Sequence, residues 1–165
     1  MHTDLISEMA QTAQNDFDFM FGSWKVRHRR LRERLSGCQD WDVFEGTSQT
    51  VPILAGNGNL EDNFVNFPGG AYHAIALRSF DISLQQWAIW WLDGRSPHRL
   101  DTPDKGSFDG DIRTFFARDT LDGQPFVVRF LWTKGKSPRW EQAFSQDGGV
   151  NWKTNWMMEF GSTLT

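Results

Sequence analysis

At 165 residues and 39% hydrophobic content, the chain is long enough for one hydrophobic core and too short for two. A formal net charge of -4 speaks against a nucleic-acid partner, which would draw on clustered Lys and Arg. The single cysteine, Cys38, excludes an intramolecular disulfide, so nothing asks for an oxidising compartment.

The first residues carry Asp4 and Glu8 ahead of any Lys or Arg and contain no apolar run, unlike a signal peptide. No segment approaches the roughly 20 apolar residues of a membrane span. The expectation is a soluble, cytoplasmic protein with no membrane partner. Leu5, Ile6, Met9 and Ala13 recur at helical spacing and predict a short amphipathic helix over 4–15. A helical segment over 1–16 is thus expected ahead of one domain over 17–165.

Helical periodicity then stops. Short alternating or apolar segments predict strands near 23–35, 41–51, 58–66, 71–80, 86–93, 106–109, 111–118, 125–133, 138–145 and 152–160. The basic run from Lys25 to Arg34, "KVRHRRLRER", falls on the first strand and reads as a solvated face. Asp109-Gly110, Asp122-Gly123 and Asp147-Gly148-Gly149 are hairpin signals. Nine Trp and fourteen Phe suit a sheet with a bulky interior. About ten sequential strands would leave exposed edges unless the sheet closed, so an all-β, up-and-down barrel is expected, with a sandwich as the alternative.

Phe17 to Leu31 reads "FDFMFGSWKVRHRRL" and contains the Gly22-Ser23-Trp24 form of a Gly-x-Trp opening. With "LRSFD" at 77–81 and "RWEQAFSQDGGVNWKTNWMMEF" at 139–160, the chain resembles a bacterial family of lipocalin-like (calycin-type) proteins that open with Phe-Asp-Phe-x-x-Gly-x-Trp. The resemblance covers residues 17–160. It implies a barrel entered through a helical turn and plugged at one end by Trp24, and no established activity. Ser145, Asp147, Gly149 and Trp152 also match the Asp-box pattern of sialidase propellers, but a propeller needs several copies. The single copy reads as a hairpin device, with Asp147 capping the turn.

Pairing strands across Pro68-Gly69-Gly70 sets Asn59, Glu61 and Asn63 opposite Arg78, Ala76 and Ala74, and the next turn sets Trp91 beside Ala76. One face then carries Asn59, Glu61, Asn63, Tyr72, Arg78, Trp87, Trp91 and Asp93, mixing aromatic and polar groups as a ligand cavity does. Trp90 and Leu92 point the other way. Placing the last turn at 147–151 puts Glu141 opposite Trp156 and brings Arg129 onto the same interior face as both. His28 and Arg30 share the parity of Trp24 and join this set.

His2, His28, His73 and His98 lie on separate segments without metal-site spacing, so no metal is expected. Haem would want one His on an apolar wall, with His73 or His98 as candidates, and no cofactor is expected. No nucleophile elbow, phosphate loop or dinucleotide fingerprint occurs. The foremost expectation is a cavity binding a small, hydrophobic or amphipathic molecule with a polar or anionic end. Its ligand-binding residues would be His28, Arg30, Asn63, Tyr72, Arg78, Trp87, Trp91, Arg129 and Trp156. A cofactor-free isomerase, cyclase or lyase using Glu61, Asp93 or Glu141 as general acid or base is the alternative. A homodimer joined through the face around Trp90 and Leu92 is the third.

Overall fold

A computed structural model describes residues 13–107 and 110–163. The helix expected over 4–15 lies outside the described residues except for 13 and 14, which are helical. A 3₁₀ turn, Asp18–Met20, leads into ten strands: β1 (Gly22–Leu31), β2 (Trp41–Ile53), β3 (Gly58–Val65), β4 (Tyr72–Asp81), β5 (Gln86–Asp93), β6 (Asp104–Gly106), β7 (Ile112–Leu121), β8 (Gln124–Thr133), β9 (Arg139–Ser145) and β10 (Lys153–Ser162). Each pairs antiparallel with its sequence neighbours, and β1 pairs with β10, so the sheet closes into a barrel and the sandwich alternative is set aside. No helix among the described residues is long and apolar enough to cross a membrane.

Turn chemistry fixes much of the register. Asp122 and Gly123 take φ of 51° and 77° between Leu121 and Gln124, the left-handed pair of a two-residue hairpin that matches the twist of its strands. At the last hairpin, the Asp147 carboxylate accepts from the Val150, Asn151 and Ser145 donors, and Gly149 N–H donates to Ser145 Oγ. These bonds hold the Asp147 carboxyl down at about 2.

Two boundaries differ from expectation. β6 spans 104–106, its ladder with β5 starting directly after Pro103, which has no N–H to give, and it pairs with β7 through Lys105 and Phe116; of the strand expected over 106–109, residues 108 and 109 lie outside the described residues. β1 ends at Leu31, and the chain then turns through Leu35 at a φ of 57°. The basic run is therefore split. Lys25, Arg27 and Arg29 face solvent, whereas Arg30 points inward and Arg34 sits on the connection.

One end of the barrel is packed solid. Phe17 and Met20, both 0% exposed, fill it together with Trp24, Phe80, Trp87, Phe115 and Phe160. The Trp24 indole N–H donates to the Met20 carbonyl at 2.9 Å and that of Trp87 to the Ala13 carbonyl at 3.1 Å. The chain before β1 is thus pinned as a stopper by aromatic packing and two part-buried indole hydrogen bonds.

Candidate functional site: a one-ended cavity

Away from the stopper the interior is hollow. A cavity of about 710 Å³ runs towards the opposite rim. Its floor is Arg78, 1% exposed, whose Nη1 donates to Asn59 Oδ1 at 2.8 Å and whose Nη2 donates to the Glu61 carboxylate. The guanidinium lies 4.8 Å from the Phe17 ring centre and 5.1 Å from that of Trp132. Two charges this deep are tolerable only because they neutralise each other, so the pair is committed to the structure.

The walls are indoles. Trp156 is their hub, edge-on to Trp91 at 6.3 Å and to Trp140 at 5.5 Å. Its N–H donates to His28 Nδ1 at 3.1 Å, while the imidazole stacks on Phe44 at 4.8 Å. An accepting Nδ1 means a neutral ring with its proton on Nε2. Burial, reinforced by the Arg30 charge, pushes the His28 pKa down to about 4. Room for that ring comes from Gly46: a Cβ there would lie 3.2 Å from His28 Nε2 and collide with the Phe64 carbonyl oxygen.

The rim is charged. Arg30 lies over the rings of Trp156 (4.8 Å) and Phe67 (5.3 Å), and its buried Nε has no hydrogen-bond partner among the described residues. Arg34 lies over Phe144 at 5.7 Å. Burial lowers the pKa of both, yet guanidinium stays protonated at any ordinary pH. Asp93 accepts from Arg95 Nε at 3.0 Å and Nη2 at 2.7 Å, and Arg95 in turn covers the Tyr72 ring at 3.6 Å. On β6, Asp104 faces the cavity at 6% exposure, and burial raises its carboxyl to about 7, with Asp101 and Asp119 adding to the rise.

The expected residues divide accordingly. Arg30, Trp91 and Trp156 line the cavity, His28 is buried behind Trp156, and Asn63 and Tyr72 also face inward without lining it. Trp87 is inward but belongs to the stopper, not to the wall. Arg129 and Glu141 are corrections: both face outwards, Arg129 over the Trp152 ring at 4.6 Å and Glu141 paired with Arg139 at 3.4 Å. The reason is a bulge at Asn155 in β10, which pairs Trp156 with Gln142 instead of Glu141. One extra residue turns every later side chain to the other face. Of the three carboxylates expected for acid-base work, Glu61 is thus tied to Arg78, Asp93 to Arg95, and Glu141 lies outside. His73 sits on the outer face against Phe64, and His98 is exposed in the β5–β6 connection.

Arg34, Trp140, Gln142 and Asp104 line the cavity without having been expected there. For β9 the signal was present: Trp140, Gln142 and Phe144 alternate against Arg139 and Glu141, and the aromatic parity marks the inside. No protein-family model matches the chain, and no curated protein matches it by sequence.

Proposed function

We propose that the protein is a lipocalin-like binding protein of the cytoplasm that takes a small, mostly apolar molecule with an anionic end into its barrel. The flat body of the ligand packs against Trp91, Trp140 and Trp156, and its anion meets Arg30 and Arg34. The observation that carries this reading is the hollow itself: about 710 Å³ walled by indoles, with two partly buried guanidiniums at its rim that form no salt bridge among the described residues. That volume falls within the roughly 300–1,000 Å³ of small-molecule pockets. The cytoplasmic part is supported by the lone Cys38.

Titration calorimetry with 6-methyl-2-naphthoate and its neutral counterpart 2,6-dimethylnaphthalene, the latter at its solubility limit with tryptophan quenching as readout, tests the proposal. Both bind; Trp156→Ala weakens both. The double variant Arg30→Gln/Arg34→Gln weakens the naphthoate alone, by about tenfold. Absence of binding by either compound would overturn the proposal.

A further inference from the structure

Resting on that binding role, we infer that Asp104 is a second polar anchor, and that the ligand is an elongated zwitterion with a basic nitrogen at the end opposite its acid. Glu61 and Asp93, which line the same cavity, each hold an arginine. Asp104 accepts no hydrogen bond and joins no ion pair among the described residues, although it is only 6% exposed and lines the cavity. The charges acting on it are Asp101, in the connection before β6, and Asp119, at the rim on β7, both negative. On β6 itself, Lys105 points outwards between inward Asp104 and Gly106.

A buried carboxylate in a negative field is costly until a cation reaches it. A neutral donor would satisfy an oxygen and leave the field uncompensated. Indoles lining the same cavity, Trp91, Trp140 and Trp156, favour a cation further. The placement of the two anchors sets the shape of the ligand. Counting around the closed ring, β6 is five strands from β1 in either direction, so Asp104 and Arg30 stand on opposite walls. An α-amino acid, whose charges are adjacent, cannot serve both. An aromatic body with an amine at one end and a carboxylate at the other can.

The test is calorimetry at pH 8 with 6-(aminomethyl)-2-naphthoate and 6-methyl-2-naphthoate. The expected result is that the amine-bearing compound binds wild type about tenfold more tightly, and that Asp104→Asn removes this advantage while leaving the methyl compound unchanged. Equal or weaker binding of the amine by wild type overturns the inference, a comparison that needs no variant to fold. Equal weakening of both compounds by Asp104→Asn would assign Asp104 a structural role and also overturn it. In either case binding of the methyl compound leaves the cavity's function standing, whereas failure of both compounds on wild type removes the two readings together.

Discussion

Asp104 and His28 pull the pH dependence of folding in opposite directions. The Asp104 carboxyl is raised from its ordinary 3.8 to about 7, so the native state holds the proton more tightly, and stability is lost as pH rises from 3.8 towards 7. His28 is lowered from 6.5 to about 4, so the unfolded chain takes the proton first, and stability is lost as pH falls from 6.5 towards 4. Asp104→Asn is therefore expected to stabilise the protein at pH 8 by ~2–4 kcal/mol in urea unfolding, an advantage that vanishes near pH 4. With the aspartate gone, acidification from pH 6.5 to 4 should show the downward slope of His28 more steeply, and His28→Gln should reduce it. Inward-facing His28, Arg30, Trp91 and Trp156 were legible because alternation along a long strand assigns a face. Asp104 was not, since a three-residue strand behind a proline has no alternation to read.

At the scale of the strand, the bulge in β10 decides which chemistry enters the barrel. Asn155 is 2% exposed, and its Oδ1 accepts from Gln142 Nε2 at 2.8 Å. Asn155→Ala leaves that amide buried without its acceptor and is expected to cost about 1–3 kcal/mol by chemical denaturation. Gly46 performs a comparable service in β2, where a methyl would meet the Phe64 backbone, which cannot swing aside. Gly46→Ala should lower the melting temperature by several degrees, in keeping with about 1–3 kcal/mol of overpacking. The β3, β4 and β5 registers followed from turn positions and came out as expected, down to Asn59 with Arg78 and Ala76 with Trp91. The last hairpin did not, because nothing in "NWKTNW" announces that one residue will be left out of the ladder. That single slip exchanged Glu141 for Gln142 in the expected site.

Across the whole molecule, the barrel divides into an aromatic stopper and an open, charged rim, with the Arg78–Glu61 pair at the boundary. Phe17 joins the halves, meeting Trp87 edge-on at 5.0 Å below and Arg78 at 4.8 Å above. Phe17→Ala should destabilise the fold by about 3–5 kcal/mol, measured as a shift in the urea midpoint at constant slope. The architecture itself was legible: ten strand signals, hairpin turns and the need to hide edges led to a closed meander. What composition did not reveal was that Arg30 and Asp104 stand across the cavity from each other.

Closure depends on one pairing above all, β1 with β10, in which Trp24 meets Ser162 and Arg30 meets Trp156. Those partners are separated by nearly the full chain, and such remote pairing is slow to find. While a ribosome is still building the protein, His28 and Arg30 therefore wait beside an unpaired edge, and the pocket cannot exist until synthesis of the final strand has delivered Trp156 to them.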